Sequence, residues 1–384
     1  MKILVLGGDG YLGWPISCAL AAKGHEVTIM DNLAKRKWEM ECGSVPLFEV
    51  LPLHRRTSAF KQTSGKELKY FIGDITNVGA IYHIFDLVKP DTVIRCSGQP
   101  SAPFSMKNRV NSIITQESNY LGALNILFAV QRSELPVHLI SLGSTGVYGT
   151  PDVPIREGYL DVELNGKKDK LPFPLQPGSF LELAEASATN AMNFACRNWG
   201  HSITEIRLGV VYGFETEETS RSAALATSFY YDAVFGTVVN RCTVQAAIGY
   251  PLTVYGSGGQ KRSFLSLTDV VKGVEYVVEK LPEKGHLRII HHFSETMTIL
   301  ELAKRIQDCA KRAGLRSEIK HLPNHRIEKE DPFYSPERLW FNEMGFPYST
   351  LEDVLNTKYF FKMLEEKDRI DLTVMDNFIP WKKH

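Results

Sequence analysis

The sequence predicts an α/β fold built on a doubly wound parallel sheet. Short apolar or β-branched runs alternate with helical patterns through the first half of the chain, which is typical of βαβ units. A glycine-rich turn follows the first of these runs, and 43% hydrophobic with 23% charged residues is the composition of an ordinary globular domain. The predicted strands are residues 3–6, 26–30, 68–72, 92–96, 137–141 and 202–207, and the predicted helices are 12–23, 78–88, 111–133 and 179–198.

The last third of the chain predicts a smaller C-terminal lobe. Helical patterns stand at 239–249, 267–280 and 299–313, with a strand at 252–255. We therefore expect a first domain over residues 1–210 and a substrate-binding lobe that is mainly 211–384, with the chain crossing between the two. An insertion at about 155–178, rich in Gly, Pro and Lys, is predicted to be a surface loop or hairpin.

Composition excludes several classes of protein. The 44 Lys and Arg residues balance the 44 Asp and Glu residues, so no overall positive field draws the chain to nucleic acid or to an anionic membrane. No apolar run is long enough to span a bilayer, and the first is too short for a signal peptide, so we expect a cytoplasmic protein. The six cysteines have no CxxC spacing, which predicts reduced thiols and no metal site.

The segment GGDGYLG at 7–13 predicts a dinucleotide site in a Rossmann domain. Its glycines let the backbone approach a pyrophosphate, whose charge is held by the N-terminus of the following helix. Asp31 closes the second strand, placed for the ribose hydroxyls; it favours NAD, while Lys35 and Arg36 leave NADP as the alternative. Asp74 is placed for the adenine edge or as a helix N-cap. The predicted cofactor-binding residues are Gly7, Gly10, Tyr11, Leu12, Gly13, Asp31, Asn32, Arg36, Asp74, Ile75 and Ser97.

Further motifs are shared with one family along nearly the whole chain. They are DNL at 31–33, SAP at 101–103, LGS at 142–144, YGTP at 148–151, GVVYG at 209–213, YDAVFGT at 231–237 and PLTVYG at 251–256. On these segments the chain resembles the UDP-sulfoquinovose synthases, which are extended short-chain dehydrogenase/reductases of the NAD-dependent epimerase/dehydratase type. The YDAVFGT segment is particular to that family. The resemblance implies bound NAD and a homodimer formed through the helices at 111–133 and 179–198.

The resemblance also implies a redox-neutral reaction on a nucleotide-linked hexose. Bound NAD oxidises the C4 hydroxyl of the sugar, the new ketone acidifies C5, and the C6 hydroxyl leaves to give a 4-keto-5,6-ene. In that family sulfite then adds at C6 and the stored hydride returns to C4. The cofactor is regenerated in every cycle, so it can remain bound.

The sequence departs from the family at its catalytic pair. The family places Tyr-x-x-x-Lys on the helix after the fifth strand, where a tyrosinate takes the hydroxyl proton and the lysine lowers the tyrosine pKa. Leu181 and Glu185 occupy these two positions here. Glu185 is therefore a candidate base, or a group that accepts a hydrogen bond from the nicotinamide ribose. The candidate catalytic residues are Glu185, Glu182, Ser144, Thr145 and Tyr148.

Substrate recognition is predicted from positions that follow the family pattern. Arg241, Arg262 and Arg326 are candidates to clamp a diphosphate, because a guanidinium binds phosphate oxygens bidentately. Val147 stands where the family has a glutamate, which removes one acid/base group. The predicted substrate-binding residues are Gln99, Ser101, Met106, Val147, Arg241, Thr253, Tyr255, Arg262 and Arg326.

Three functions remain open at this point. The first is an NAD-dependent dehydratase that acts on a nucleotide sugar or a nucleoside. The second is a sulfoquinovose synthase with a relocated base. The third is a catalytically silent NAD-binding sensor or scaffold, which loss of the Tyr and Lys pair would permit. The complete substrate-binding lobe favours an enzyme.

Overall fold

The computed structural model describes residues 1–324, 326, 329, 332–375, 379 and 381. Its strands are β1 (Lys2–Leu6), β2 (Glu26–Asp31), β3 (Leu68–Ile72), β4 (Thr92–Arg95), β5 (His138–Ser144), β6 (Tyr159–Leu164), β7 (Lys167–Pro172), β8 (Ser202–Leu208), β9 (Val210–Tyr212), β10 (Leu252–Tyr255), β11 (Lys261–Ser266), β12 (Leu287–His292), β13 (Glu295–Thr298) and β14 (Ile319–Leu322). Its α-helices are α1 (Gly13–Ala22), α2 (Ala34–Glu41), α3 (Leu53–Ser64), α4 (Val78–Val88), α5 (Ala102–Met106), α6 (Arg109–Gln116), α7 (Gly122–Ser133), α8 (Phe180–Trp199), α9 (Val238–Ala247), α10 (Leu267–Val278), α11 (Ile299–Arg312), α12 (Leu339–Met344), α13 (Leu351–Val354) and α14 (Thr357–Glu365).

A parallel sheet of seven strands confirms the predicted doubly wound α/β fold. Its order is β12-β8-β5-β4-β1-β2-β3, so the chain starts inside the sheet and moves outward in both directions. Ile3 and Val5 pack in one core with α1 and α10, whereas Leu4 and Leu6 pack in another with α4, α7 and α8. Both faces of β1 are thus buried, which explains its continuous apolar sequence.

Two elements of the C-terminal third return to this sheet. β12 pairs in parallel with β8 as an edge strand, and α10 packs against α1. The helix expected at 267–280 is present as Leu267–Val278, but its assignment to the smaller lobe was wrong, and β12 was not predicted. The chain was expected to cross between the two lobes, and the sequence did not predict that residues 267–292 return to the sheet.

The smaller lobe is built around two short sheets. β10 pairs with β14, and β11 lies between β9 and β13. Helices α9, α11 and α14 pack on them around a separate core that includes Phe264, Leu302 and Phe360. The predicted helices at 239–249 and 299–313 and the strand at 252–255 correspond to α9, α11 and β10.

Local elements agree with prediction at one place and differ from it at two. The insertion contains the antiparallel hairpin β6–β7, as one of the two expected forms. Helices α2 and α3, between β2 and β3, were not predicted. The helix expected over 111–133 is interrupted by a π turn at Glu117–Leu121, which carries Asn119 toward the loop after β4, where its side chain binds the backbone N–H and C=O of Gln99. Among the described helices, none is long and apolar enough to cross a membrane.

Candidate active site and cofactor cavity

The turn between β1 and α1 is shaped by its glycines. Gly7 has φ +87°, and a Cβ there would lie 2.6 Å from the backbone of Ser97. A Cβ on Gly13 would lie 2.1 Å from the carbonyl oxygen of Gly7, so this position also excludes any side chain. At Gly10 the nearest atom would be 3.4 Å away, which leaves space over the turn. The turn can therefore receive a pyrophosphate without moving.

A cavity of about 260 Å³ opens above this turn and is lined by ten of the eleven predicted cofactor residues. The exception is Asp74, whose carboxylate accepts a hydrogen bond from the side chain of Asn32 (2.9 Å), while Asn77 caps α4. The buried Ser97 hydroxyl, at the cavity wall, has no hydrogen-bond partner among the described residues. Glycines, a carboxylate at the end of β2 and an unsatisfied hydroxyl are what a bound dinucleotide requires.

The environment of Asp31 suits a cofactor without a 2′-phosphate. Its carboxylate accepts the backbone N–H of Asp9 (3.0 Å) and of Leu33 (2.7 Å), and burial raises its pKa to about 6. Arg36 lines the cavity, but its guanidinium binds the Asp9 carboxylate and the carbonyl oxygens of residues 50 and 51. Because that arginine is already bound within the protein, it offers little to an additional phosphate.

Residues 33–52, which we call the cofactor strap, cross the cavity and contact the smaller lobe. The ammonium of Lys35 lies 3.5 Å from the ring centre of Tyr230 and 3.7 Å from that of Phe235. The Leu47 N–H donates to the carbonyl oxygen of Phe229 (2.9 Å). Residues 229–235, which overlap the start of the YDAVFGT segment, therefore hold the strap over the cofactor cavity, a role that their sequence did not reveal.

Helix α8 brings the altered catalytic pair to the end of β5. Leu181 is buried, and the hydroxyl of Ser144 donates to the Glu185 carboxylate at 2.6 Å. Burial raises the pKa of Glu185 to about 7; the Ser144 hydrogen bond and Arg95 oppose this shift, and Glu182 with Glu205 adds to it. Glu185 therefore has a proton affinity suited to acid/base work at neutral pH.

Glu182 stands one turn earlier on α8 and is held by the backbone. Its carboxylate accepts the N–H of Gly178 at 2.7 Å, while Ser179 caps the helix. Burial raises its pKa, whereas the backbone bond and the positive charges of Arg262 and Arg326 lower it. These two predicted arginines therefore lie near Glu182 on the altered helix.

Two residues in the loop after β5 face away from the site. Tyr148 is fully buried, where its hydroxyl contacts His291 (2.6 Å) and accepts a hydrogen bond from Arg207. Val147 is also fully buried and packs with Tyr148 in a small core. Both side chains are packed inside the protein, so the catalytic role of Tyr148 and the substrate contact of Val147 stay predictions that the described contacts do not favour. Thr145, at the start of this turn, is mostly buried.

Three predicted substrate contacts form hydrogen bonds within the protein. Gln99 is fully buried, and its amide binds the backbone of Ser101 and the hydroxyl of Thr115. Ser101 caps α5 and donates to the carbonyl oxygen of Val234. Thr253 is buried and bonded to Gln245. These side chains already have partners inside the protein, and their assignment to substrate binding stays a prediction; Met106 is partly exposed at the end of α5.

Arg241 is the strongest remaining candidate for an anionic ligand. It lies on α9, is 5% exposed, and its guanidinium sits 5.0 Å from the ring centre of Tyr255. Its Nε has no hydrogen-bond partner among the described residues. A buried cation whose donors are incompletely used is expected to bind an anion, because desolvating it otherwise costs several kcal/mol.

The family of the chain follows from comparison with known proteins. Residues 3–290 match the NAD dependent epimerase/dehydratase family. The chain belongs to this family and is an NAD-dependent enzyme.

Within the family, the resemblance to the UDP-sulfoquinovose synthases is confirmed. The chain is 36% identical over 382 residues to the chloroplastic UDP-sulfoquinovose synthase of Spinacia oleracea, covering 100% of this chain and 79% of that protein. It is 38% identical over 347 residues to the UDP-sulfoquinovose synthase of Sulfolobus acidocaldarius, covering 90% and 88%.

Solved structures support the fold. The UDP-glucose 4-epimerase of Bifidobacterium longum, in complex with NAD+ and UDP, superposes with a TM-score of 0.71 at 18% identity, covering 95% of this chain and 98% of that one. The UDP-glucose 4-epimerase of Thermotoga maritima, with UDP-glucose, has a TM-score of 0.69 at 20% identity, covering 95% and 100%.

Proposed function

We propose that this enzyme dehydrates the sugar of a nucleotide-linked hexose, by transient oxidation at C4 and elimination across C5 and C6. Its relatives are named for a UDP-sugar product, and the similar solved structures hold UDP or UDP-glucose. NAD supplies the hydride acceptor for C4 and returns the hydride in the same cycle. The substrate then loses one water and no net electrons.

The observation that carries this proposal is the Ser144–Glu185 hydrogen bond. A hydroxyl bonded to a carboxylate at the end of β5 can pass the proton of the C4 hydroxyl to Glu185 while the C4 hydrogen leaves as hydride. The C5 proton and the C6 hydroxyl then leave as water, because the C4 ketone acidifies C5. When the hydride returns to C4, Glu185 gives its proton back to the oxygen. A carboxyl pKa of about 7 suits both directions.

The diphosphate of the substrate is proposed to bind Arg241, with Arg262 and Arg326 closer to the sugar. Arg241 is buried beside Tyr255, so a UDP group that stacks on this ring would meet a desolvated cation. The two other arginines contribute positive potential near Glu182. This arrangement favours a nucleotide sugar over an uncharged nucleoside.

A substrate assay tests the proposed reaction. Purified enzyme is incubated with UDP-glucose and, separately, with adenosine, and products are measured by mass spectrometry with and without sulfite. We expect UDP-glucose to lose the mass of one water without sulfite and adenosine to remain unchanged. Dehydration of the nucleoside alone would contradict the diphosphate assignment, and a product formed only with sulfite would identify a synthase.

Substitution of Glu185 tests the base. Glu185→Gln keeps the size and the bond with Ser144 but cannot accept a full proton, so kcat should fall by about 100-fold to 10,000-fold with NAD still bound. Glu163→Gln, on the exposed hairpin, is the matched control and should leave kcat unchanged. Unchanged turnover in Glu185→Gln would remove Glu185 from the mechanism.

We also propose that the enzyme is a homodimer. Helices α6 and α7 both pack against α8, and the outer surface of these three helices carries exposed apolar side chains. We call this surface the helical face; its exposed residues are Val110, Ile113, Phe128, Phe180, Leu183 and Phe194. Exposed apolar surface of this kind marks an interface. Two antiparallel helices from each subunit, related by a twofold axis, form a four-helix bundle.

A further inference from the structure

A row of polar and charged side chains crosses the interior of the parallel sheet. Arg95 on β4 stands opposite Ser141 on β5, which stands opposite Glu205 on β8. Arg95 is 4% exposed and Glu205 is 1% exposed. The interior of such a sheet is ordinarily Val, Ile and Leu, and a buried charge costs several kcal/mol unless it is paired. We call these three residues the buried row.

The two charges of the buried row are satisfied unequally. Glu205 accepts hydrogen bonds from Thr189 (2.8 Å) and from Arg207 (3.1 Å). Arg95 donates to the Ser141 hydroxyl and to the carbonyl oxygen of Asn119, and its Nε has no partner. Among the described residues, no carboxylate lies within ion-pair distance of Arg95. Its positive charge is therefore uncompensated by direct contact.

The buried row lies directly beneath the part of α8 that carries Glu185. The Thr189 hydroxyl, one turn after Glu185, lies 3.1 Å from the Glu185 carbonyl oxygen and also donates to Glu205. At Gly143 a Cβ would lie 3.1 Å from the Glu205 carboxylate, so the absence of a side chain there lets this carboxylate approach the backbone of β5. The groups that act on the Glu185 carboxylate are Ser144 from β5, Glu182 from its own helix, Glu205 from β8 and Arg95 from β4.

We propose that Arg95 and Glu205 are positioning residues that set, with opposite sign, the protonation of Glu185. This inference rests on the proposed function, in which Glu185 is the acid/base group. The family's lysine contributes a cation beside the base, and here that position is itself the carboxylate. Arg95 supplies the missing positive charge from below the helix and favours the carboxylate form. Glu205, which accepts a hydrogen bond from Thr189 on the same helix as Glu185, carries a negative charge and favours the protonated form of the Glu185 carboxyl group.

The proposal predicts opposite shifts from two near-isosteric changes. Arg95→Met removes the cation and should move the rising limb of the kcat against pH profile upward by about one pH unit. Glu205→Gln keeps its size and can still accept the hydrogen bond from Arg207 but removes a negative charge, so the limb should move downward by about one pH unit. Arg95→Lys keeps the positive charge and should leave the rising limb at its wild-type position. Arg132→Met, at an exposed ion pair with Asp86, is the control and should cause no shift.

The same variants are titrated directly to separate the two proposals. The carboxyl stretch of protonated Glu185 is followed by infrared difference spectroscopy of the NAD-bound enzyme, with Glu185→Gln as the blank. If Arg95→Met and Glu205→Gln shift this titration in opposite directions, the positioning roles are confirmed. If the kcat profile nevertheless lacks the rising limb, only the base role of Glu185 fails. Shifts in the same direction, or none, overturn the proposal. If Arg95→Met does not fold, Glu205→Gln decides alone, and an upward or absent shift contradicts the inference.

Discussion

At the scale of single residues, Glu185 stands where the family has a lysine, and this changes which group can hold the proton taken from the substrate hydroxyl. A tyrosinate beside a lysine holds its negative charge by contact with a permanent cation. Glu185 instead combines burial with the hydroxyl of Ser144 and reaches a pKa of about 7. Such a group is half-protonated near neutral pH and can both accept and return the proton of a redox-neutral cycle. Leu181 places a buried apolar side chain where the family has its catalytic tyrosine.

Two glycines of the phosphate-binding turn provide a matched test of cofactor binding. Gly10→Val should leave the fold intact, because a Cβ there meets only the carbonyl oxygen of Gly7 at 3.4 Å, yet it should abolish NAD binding by occupying the space over the turn. Gly13→Ala should instead destabilise the folded enzyme, because its Cβ would lie 2.1 Å from the same oxygen. Bound nucleotide after gel filtration and the unfolding temperature are measured for both. Full NAD occupancy in Gly10→Val would contradict the assignment of the turn.

At the scale of elements, the cofactor strap explains why NAD should remain bound between turnovers. Its residues line the cavity, and Lys35 lies between two rings of the smaller lobe. Lys35→Met removes both cation–π contacts, each worth about 0.5–2 kcal/mol, so NAD should exchange roughly tenfold or more faster. Lys37→Met, on the same helix but with a 75% exposed side chain, is the control. Exchange of labelled NAD is the measurement, and equal rates in the two variants would refute the role of the strap.

The elements also show which parts of the site can be predicted from sequence. The phosphate turn is encoded by neighbouring residues, so the sequence predicted its position and five of its six residues that line the cavity; Asp9 was missed. Arg95 and Glu205 face each other through the register of three strands, and such non-local pairing is not written in any one segment. For Gln99 and Tyr148 the sequence shows a polar side chain but not its burial, and both are fully buried. β12, which pairs with β8, was not predicted.

At the scale of the whole molecule, the cofactor cavity lies between the two lobes. The sheet domain contributes the glycine turn and Asp31, and the smaller lobe contributes residues such as Tyr230, Phe235 and Asn240 to the opposite wall. Tyr11, in the turn, donates to the carbonyl oxygen of Gly213, and Trp14 donates to that of residue 225. The two lobes are thus tied together at the cofactor site itself, which suits an enzyme that retains its cofactor.

The homodimer is a prediction at the same scale, and the helical face offers a sharp test of it. Phe128 and Phe194 both contact Trp199 and remain half exposed, so they lie where a second copy would pack. Phe194→Glu places a charge in that apolar surface and should weaken the dimer at least about 30-fold, as expected for loss of a central aromatic contact. Leu164→Glu, at the exposed tip of the β6–β7 hairpin, is the control. Sedimentation velocity should show a dimer for wild type and control and a monomer of 43.2 kDa for Phe194→Glu. A monomeric wild type, or a Phe194→Glu protein that still dimerises with unchanged affinity, would show that the helical face is not the interface.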